Sequence, residues 1–458
     1  ELVMSDHYGE LVQSPLGKKV AKNLGLPMPM KLDRYETGQP VVRGEVALGI
    51  ASGEDAAVQS ALVEILGGYE AKVNTDATLN HLKTTSLNDR LKDDNARFKV
   101  AIFDATNIKN TDELKQVYDF FHPIARRLKA SGRVLVIARP ECCTGDDIGF
   151  SLAQRAVLGF VKSIAKEFKR GITAQVIYVQ KGAESELSHT LEFFMSAKSA
   201  YVSGQPIYLT KAATQTHATL QGKKILVTGA SRGIGQAIAE VLARDGAKVY
   251  CLDVPDSLPN LQKVAGQIGG YALPLDITAK DAGEQIIRAC GTLDGVVHNA
   301  GVTRDKTLAK MSEDKWNLVM NINLGAIHRV NDYLINHHGL GEAARIVCVS
   351  SISGIAGNLG QSNYATSKAG VIGLVEATAK VFKDSARTIN AVAPGFIETK
   401  MTGQIPFAIR EAGRRMNSMS QGGEPVDVAE TIAWLLSPKA GGLNGNVVRV
   451  CGQSLLGA

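Results

Sequence analysis

The sequence is poor in the residues that mark several classes of protein. Its 458 residues include six cysteines and two tryptophans, and aromatic side chains make up 5% of the chain. Apart from the neighbours Cys142 and Cys143 the cysteines are scattered, so we expect neither a disulfide framework nor a zinc site. This distribution favours a reducing compartment, and we expect a cytoplasmic protein.

Long apolar runs and concentrations of one charge are also missing. No run of about 18 apolar residues occurs, so we expect no membrane span. The stretch ELVMSDHYGELVQSP has no basic start followed by an apolar segment, so we expect no secretory signal. The formal net charge of +6 is spread along the chain, which argues against nucleic acid as a partner.

The length and the order of the sequence patterns predict two α/β domains. A chain of 458 residues is too long for one hydrophobic core. In the second half, short β-branched runs alternate with helical patterns, which is typical of a doubly wound parallel sheet. Five of these patterns recur in the first half in the same order. We therefore expect two Rossmann-like domains, the first a degenerate, non-catalytic copy. The predicted boundaries are a proline-rich arm at 1–40, the degenerate Rossmann- or flavodoxin-like domain at 41–210, a linker at 211–221 and the second domain at 222–458.

A glycine-rich segment in the second half predicts a dinucleotide site. The segment TGASRGIG (228–235) follows the strand pattern KKILV and opens a helical pattern. Gly229 allows a tight turn, Gly233 lets the backbone approach a diphosphate, and Gly235 lets helix and strand pack closely. The free N–H groups at the start of the helix then bind the diphosphate.

The end of the next strand indicates which dinucleotide binds. Asp253 lies there, where a carboxylate accepts hydrogen bonds from the ribose hydroxyls and repels a 2′-phosphate. Arg232 favours the opposite choice, because a guanidinium pairs with that phosphate. We give Asp253 more weight, since a phosphate dianion beside a partly desolvated carboxylate is costly. NAD(H) is therefore the preferred cofactor, and NADP(H) is the alternative.

Other small or polar residues end strand patterns at the same predicted sheet edge. They are Asp276 and the triplet Asn299-Ala300-Gly301. For Asp276, a helix-capping role competes with ligand contact. We expect His298 to be a strand-end residue and not a ligand, and no clustered ligand pattern indicates a catalytic metal.

One combination of residues predicts proton transfer. Tyr364 and Lys368 are four residues apart and so share a helix face. A free tyrosine, with a pKa of about 10, is a poor acid at neutral pH, but a nearby ammonium lowers that pKa. Ser351, with serine neighbours at 350 and 353, directly follows the strand pattern ARIVCVS and is expected beside Tyr364. Asn323 lies inside a helical pattern, where a buried amide needs partners.

Together these motifs resemble the short-chain dehydrogenase/reductase family over residues 222–458. The resemblance implies that Tyr364 donates a proton to a substrate carbonyl and that Ser351 stabilises the developing negative charge. It implies that Lys368 holds the nicotinamide ribose and lowers the pKa of Tyr364, and that Asn323 positions a water that re-supplies the proton. The cofactor-binding residues that the resemblance implies are Gly229, Ser231, Arg232, Gly233, Ile234, Gly235, Asp253, Asp276, Ile277, Asn299, Ala300, Gly301, Tyr364, Lys368, Pro394, Gly395, Ile397 and Thr399.

Within that family, AGVTRDKTLAKMSEDKW (300–316) is similar to 3-oxoacyl-acyl-carrier-protein reductases. This implies reduction of a 3-oxoacyl thioester to the 3-hydroxyacyl thioester, or its reverse, in fatty-acid metabolism. Ser385 and the segment VCGQSLLGA depart from that subgroup, so acyl carrier protein and acyl-CoA are both expected carriers. A polyol, sugar or steroid dehydrogenase is the alternative, and a non-catalytic nucleotide-binding scaffold has the least support. The two-half chain also resembles the high-molecular-weight 3-oxoacyl reductases of some bacteria, which implies NADH dependence and a homodimer.

Residues 400–421 stand where the family has its substrate lid. An amphipathic helix that only packs on the domain is the alternative interpretation. The residues expected to line an acyl chain are Ile405, Phe407 and Ile409, and those expected to meet a carrier phosphate are Arg410, Arg414 and Arg415.

The helix pattern that carries the tyrosine occurs twice. FSLAQRAVLGF (150–160) matches YATSKAGVIGL (364–374) in hydrophobic rhythm, with Phe150 and Gln154 at the positions of the tyrosine and lysine. Arg139 lies near the position of the serine and cannot replace it. We therefore expect the first half to be structural and the second to be the enzyme. The helix at 150 is expected to supply the packing surface that a second subunit supplies in this family.

Overall fold

The structure, a computed structural model, describes residues 6–403 and 407–456. Its contacts divide the chain into two units, each built on one seven-stranded sheet. Within the described ranges, the first unit comprises residues 6–211 and 417–421. The second comprises residues 212–403, 407–416 and 422–456.

The first unit opens with two short helices and then alternates strands with helices. Its strands are β1 (Glu45–Ile50), β2 (Val73–Asn74), β3 (Thr84–Thr85), β4 (Phe98–Asp104), β5 (Leu128–Ala138), β6 (Thr173–Val179) and β7 (Gln205–Leu209). Its helices are α1 (His7–Gln13), α2 (Pro15–Asn23), α3 (Ala57–Gly67), α4 (Leu87–Leu91), α5 (Lys115–Ile124), α6 (Ile148–Glu167) and α7 (Leu187–Met195), with 3₁₀ turns at Glu141–Cys143, Glu184–Glu186 and Ala197–Ser199. The strands lie in the order β3-β2-β1-β4-β5-β6-β7, and neighbours pair in parallel.

The long helix α6 packs in the core of the first unit. Ala153, Val157 and Val161 are buried at helical spacing, so one face of α6 belongs to the apolar cluster around the sheet. Within the described ranges α6 is the one helix long and apolar enough to cross a membrane by length and composition. Core packing of a buried helix accounts for the same composition.

The pentapeptide 417–421 belongs to the first unit although it lies far along the chain. Tyr201 donates a hydrogen bond from its hydroxyl to the carbonyl oxygen of Gln421 at 2.7 Å, and the amide of Gln421 donates to the carbonyl oxygen of Met30 at 2.7 Å. The side-chain oxygen of Asn417 accepts from the backbone N–H of Met419 at 3.0 Å. No sequence pattern indicates this arrangement, since it depends on contacts between distant segments.

The second unit repeats the alternation of the first. Its strands are β8 (Lys224–Thr228), β9 (Lys248–Asp253), β10 (Tyr271–Pro274), β11 (Leu293–His298), β12 (Leu340–Val349), β13 (Thr388–Pro394) and β14 (Val447–Val450). Its helices are α8 (Gly233–Arg244), α9 (Leu258–Ile268), α10 (Ala282–Cys290), α11 (Glu313–Met320), a π-helical turn (Asn321–Gly325), α12 (Ala326–Asn336), α13 (Ile352–Ala356), α14 (Ser362–Val381), α15 (Lys400–Gly403), α16 (Phe407–Arg415) and α17 (Pro425–Leu436), with 3₁₀ turns at Pro255–Ser257, Leu308–Lys310 and Pro438–Gly442.

The strand order of the second unit is β10-β9-β8-β11-β12-β13-β14, again parallel. It is the order of the first unit, so the prediction of two doubly wound parallel-sheet domains is confirmed. The chain runs outward from β8 to β10 and then returns to the other side of β8. The carboxyl ends of β8 and β11 therefore flank the switch point, where sheets of this kind bind ligands.

Candidate active site

The loop after β8 has the backbone form that a diphosphate site needs. Gly229 has a φ of +67°, a conformation that side chains with a Cβ disfavour. A Cβ at Gly235 would lie 2.0 Å from the carbonyl oxygen of Gly229, so only glycine lets α8 pack this closely. A Cβ at Gly233 would meet nothing within 4 Å, which leaves the start of α8 open. The residues present therefore fit a dinucleotide diphosphate.

The predicted triplet at the end of β11 is fastened to this loop. The hydroxyl of Thr228 accepts hydrogen bonds from the backbone N–H groups of Asn299 and Ala300, each at 3.0 Å. The side-chain amide of Asn299 donates to the carbonyl oxygen of Thr228 at 3.1 Å. Thr228 was not predicted as a site residue; the signal for it is its place directly before the first glycine of TGASRGIG.

Asp253 lies beside the glycine loop at the end of β9. Its carboxylate accepts hydrogen bonds from the backbone N–H of Ser231 at 3.1 Å and of Val254 at 2.8 Å. Ser231 is buried, Ile234 is half-buried and Arg232 is exposed. A carboxylate is thus fixed where the sequence predicted contact with the adenosine ribose, and the guanidinium of Arg232 remains in solvent.

The remaining predicted cofactor residues lie at the ends of neighbouring strands. One oxygen of Asp276 accepts from the backbone N–H and the hydroxyl of Thr278, at 2.9 and 2.7 Å. This is a local turn and not the helix cap weighed above, because the residue before α10 is Asp281. Ile277 and Ile397 are buried. The other three predicted residues follow β13 or end it: Pro394, Gly395 and Thr399. Cofactor contact by this group of residues stays a prediction.

Tyr364, Lys368 and Ser351 meet at the carboxyl edge of β12. Tyr364 and Lys368 lie on the first turns of α14, with the Lys368 nitrogen 5.6 Å from the centre of the tyrosine ring. Lys368 is buried, and its nitrogen donates a hydrogen bond to the carbonyl oxygen of Val349 at 2.9 Å. Ser351 stands before α13 and accepts from the backbone N–H of Ser353 at 3.1 Å.

The electrostatics of this group differ from the expectation. Burial raises the pKa of Tyr364, a hydrogen bond with Ser351 lowers it, and the carboxylate of Asp305 raises it. Burial lowers the pKa of Lys368 to about 8. The lowered Tyr364 pKa that the resemblance implied is therefore not found in this structure, because desolvation outweighs the other contributions. Asp305 was not predicted as a site residue.

The two serines beside Ser351 have other partners. The hydroxyl of Ser350 donates to the carbonyl oxygen of Lys368 at 2.7 Å and is buried. The hydroxyl of Ser353 donates to the side-chain oxygen of Gln361 at 3.2 Å. Ser351 is thus the serine whose hydroxyl meets the tyrosine, which supports its predicted role over its neighbours.

Asn323 lies fully buried in the π-helical turn between α11 and α12. Its side-chain oxygen accepts from the backbone N–H of Val302 at 2.8 Å. Its amide nitrogen donates to the carbonyl oxygen of Val302 at 2.9 Å and to the hydroxyl of Ser367 at 3.3 Å. The side chain therefore fastens the loop after β11 to α14. The placement of a water by Asn323 stays a prediction.

The predicted lid corresponds to α15 and α16, and Ile405 lies outside the described residues. Phe407 and Ile409 are exposed on α16, and their contact with an acyl chain stays a prediction. The prediction that Arg414 meets a carrier phosphate is wrong, because this guanidinium is buried between the carboxylates of Glu398 and Glu411.

The other two arginines of α16 also have partners within the lid. Arg415 pairs with Glu411 at 3.2 Å. Arg410 donates to the carbonyl oxygen of Gly403 at 3.1 Å. These contacts hold the two arginines against neighbouring groups of the lid; contact with a carrier phosphate stays a prediction for both.

His298 is buried at the end of β11, with its ring nitrogen 2.5 Å from the side-chain oxygen of Asn331. Burial lowers the pKa of His298 to about 4, so the ring is neutral at physiological pH. Within residues 6–403 and 407–456, no three His, Cys, Asp or Glu side chains come together as metal ligands.

Comparison with known proteins matches the second unit. The family described as enoyl-(acyl carrier protein) reductase matches residues 229–452. The 3-oxoacyl-[acyl-carrier-protein] reductase of Thermotoga maritima is 38% identical over 240 residues, which are 51% of this chain and 98% of that protein. The reductases of the same name from Vibrio cholerae and Escherichia coli are 39% and 36% identical over 239 and 238 residues, in each case 51% of this chain and 97% of the relative.

The matched region contains the glycine loop, the Asn299 triplet and the Ser351, Tyr364 and Lys368 group, and it spans nearly the full length of these relatives. The chain therefore belongs to the short-chain dehydrogenase/reductase family, and its second unit is an oxidoreductase of the 3-oxoacyl-acyl-carrier-protein reductase type.

Proposed function

We propose that this protein reduces the 3-oxo group of an acyl thioester to a 3-hydroxyl group, with NADH as the hydride donor, in fatty-acid metabolism. The observation that carries the proposal is the meeting of Ser351, Tyr364 and Lys368 at the same sheet edge as the glycine loop. When bound, a reduced nicotinamide supplies the hydride that adds to the carbonyl carbon. Side chains of this protein supply the proton, stabilise the developing charge and hold the cofactor.

The reduction needs a proton at the carbonyl oxygen and stabilisation of its developing charge. Tyr364 has a pKa above its ordinary value, so it is protonated at neutral pH and donates that proton. The hydroxyl of Ser351, which hydrogen bonds with the phenol, stabilises the oxyanion. The Lys368 nitrogen donates to the carbonyl oxygen of Val349, and its role in the proposal is to bind the nicotinamide ribose. A proton donor, a group that stabilises the oxyanion and a group that binds the cofactor are what the reduction of a carbonyl group requires.

The preference for NADH rests on Asp253. Its carboxylate is fixed by two backbone N–H groups beside the glycine loop, where it binds ribose hydroxyls and repels a phosphate. Arg232 is exposed and is the group that would favour NADP(H). The acyl carrier is either coenzyme A or acyl carrier protein, and the exposed Phe407 and Ile409 are the apolar surface offered to an acyl chain.

Initial rates with acetoacetyl-CoA, comparing NADH with NADPH, test the proposal. Tyr364→Phe should lower kcat by about a thousandfold and leave NADH binding intact, because it removes the acid and little volume. Tyr271→Phe, on the exposed edge strand β10, is the matched control and should retain activity. Retained turnover in Tyr364→Phe would contradict the assignment. If the protein instead turns over crotonyl-CoA, or a polyol, sugar or steroid, the proposed substrate class is wrong.

A homodimer and a cytoplasmic location complete the proposal. Both come from the likeness to two-half reductases and from the cysteine distribution. Sedimentation equilibrium of the full chain measures the first, with a mass of about twice 48.7 kDa expected. Cell fractionation measures the second.

A further inference from the structure

Two hydrogen bonds hold residues 304–306 against the start of α14, the helix that carries Tyr364. The backbone N–H of Lys306 donates to the carbonyl oxygen of Gly360 at 2.8 Å. The side-chain amide of Asn363 donates to the carbonyl oxygen of Arg304 at 3.1 Å. The loop after β11 and the beginning of α14 therefore hold each other on both sides of residue 305.

A side-chain bridge lies between these two backbone contacts. The amide nitrogen of Gln361 donates to the carboxylate of Asp305 at 2.9 Å. The side-chain oxygen of Gln361 accepts from the hydroxyl of Ser353 at 3.2 Å, and the backbone N–H of Ser353 donates to the hydroxyl oxygen of Ser351 at 3.1 Å. Asp305 is thus joined, through Gln361 and Ser353, to the serine at the reacting centre.

The same carboxylate acts on the phenol electrostatically. Ser351 and Asp305 are the side chains that act on the pKa of Tyr364, and Asp305 is the charged one. Lys368 lies on the same helix as Tyr364. Its nitrogen is 5.6 Å from the centre of the Tyr364 ring and donates a hydrogen bond to the carbonyl oxygen of Val349. An anion near a phenol favours the protonated form.

Five elements pack against α14, and two of them carry titratable side chains. The helix α13, the π-helical turn and β13 have no titratable side chain. The titratable groups on the other two packed elements are Glu313, Asp314 and Lys315 on α11 and Glu342, Arg345 and Cys348 on β12. Arg345 donates to the carbonyl oxygens of Ala386 and Pro438, away from α14.

We propose that Asp305 is a positioning residue that acts through Gln361: it fixes Ser351 and Tyr364 for proton transfer, and its charge acts on the phenol. The effect on catalysis rests on the proposed carbonyl reduction. The positioning itself rests on the hydrogen bonds of the bridge. Asp305 is exposed, so solvent screens its charge and we expect only a small effect on the pKa of Tyr364.

A charge swap in the full-length protein tests the bridge. Gln361→Glu removes the donor and sets two carboxylates against each other. The double variant Asp305→Asn with Gln361→Glu restores one donor and one acceptor with the roles reversed. We expect Gln361→Glu to lower kcat about tenfold with the KM for NADH unchanged, since a charged hydrogen bond is lost. The double variant should recover to within about threefold of the original.

Two further readouts separate positioning from general damage. Hydrogen exchange of the Lys306 amide needs no substrate; it should quicken in Gln361→Glu and return to the original rate in the double variant. Asp305→Asn keeps an acceptor for Gln361 and removes the charge. In the oxidation direction the phenolate is the base, so the acid limb of the pH profile of kcat follows the pKa of Tyr364. In Asp305→Asn this limb should move to lower pH by about half a pH unit. Asp332→Asn, an exposed carboxylate on α12, is the matched control and should move neither readout.

Each outcome decides the inference. Unchanged exchange at Lys306 in Gln361→Glu, failure of the double variant to recover, or an unmoved pH profile in Asp305→Asn would each overturn it. If the unmodified protein reduces no 3-oxoacyl thioester, the proposed function fails, while the exchange measurement still decides whether the bridge holds the loop.

Discussion

The side-chain oxygen of Gln154 accepts a hydrogen bond of 2.7 Å from the backbone N–H of Arg139, just after β5. In the second unit the equivalent helix position carries Lys368, which donates to Val349 at the end of β12. Both side chains tie the start of a long helix to the end of the fifth strand of its sheet. Only the lysine brings a titratable group, so the first unit keeps the contact and loses the chemistry.

Protein side chains fill the edge of the first unit where the second has its site. Arg139 is fully buried, donates to the carbonyl oxygen of Val179 at 3.1 Å, and pairs with Asp55 and Glu184 at 2.9 and 2.8 Å. A Cβ at Gly53 would lie 2.4 Å from the side chain of Asn107, so the loop after β1 is packed and not open. This edge holds the unit together.

Arg139→Ala should therefore destabilise the first unit by about 3 kcal/mol, because Asp55 and Glu184 lose their buried partner. Urea unfolding followed by circular dichroism measures the loss. Both tryptophans, Trp316 and Trp434, lie in the second unit, so the fluorescence transition should move less. Lys115→Ala breaks an exposed helical pair and should cost under about 0.5 kcal/mol. An equally small loss for Arg139→Ala would contradict this account.

The serines at 350 and 351 should separate structure from chemistry. Ser351→Ala removes the hydroxyl that meets Tyr364, and we expect kcat to fall by at least about a hundredfold. Ser350→Ala removes a buried hydrogen bond to the backbone of α14, and we expect a loss of about 1 kcal/mol in unfolding free energy with kcat within about tenfold of the original. Steady-state kinetics and urea unfolding of the two variants measure both quantities. The reverse pattern of kcat would move the catalytic role to Ser350.

Lys368 should make stability rise with pH. Its pKa is lowered to about 8 in the folded protein and is about 10.4 when unfolded, so between these values the unfolded chain binds the extra proton. Stability therefore increases as the pH rises through this window. Relative to Lys368→Met, the original protein should gain about 2 kcal/mol between pH 7 and pH 10, read from tryptophan fluorescence in urea. Cys251 and Cys290 are common to both proteins and do not interact with Lys368, so they cancel in the difference. Cys348 interacts with Lys368, but its pKa of about 12 keeps it protonated in the folded protein up to pH 10, so it adds little to the difference. A pH-independent difference would show that the lysine is not desolvated.

Local patterns predicted the central strands well and the long-range contacts poorly. Strands β8, β11 and β12 each contain a short buried run rich in Val, Ile and Leu, which the sequence displays directly. The edge strand β10 has an exposed Tyr271 and no such run, so the sequence indicated its end, near Asp276, and not its extent. The motif spacing was enough to predict that Ser351 and Tyr364 meet.

What the sequence hides is which partner each polar side chain takes. Arg414 reads as a free cation on an amphipathic helix, and its burial against Glu398 depends on how α16 folds back on the loop after β13. Asp305 reads as a loop carboxylate, and its bridge to Gln361 exists only because two loops meet at one sheet edge.

Asp253→Asn should weaken the choice of NADH over NADPH. The change keeps the size of the side chain and removes the charge that opposes a 2′-phosphate, an interaction of a few kcal/mol at short range near a protein surface. We expect kcat/KM with NADPH to rise by at least about tenfold while kcat/KM with NADH falls, because the ribose hydroxyls lose an ionised acceptor. Asp276→Asn makes the same change at the neighbouring strand end and should leave the ratio of the two cofactors unaltered. A stronger preference of the unmodified protein for NADPH would overturn the role given to Asp253 and transfer the selection to Arg232.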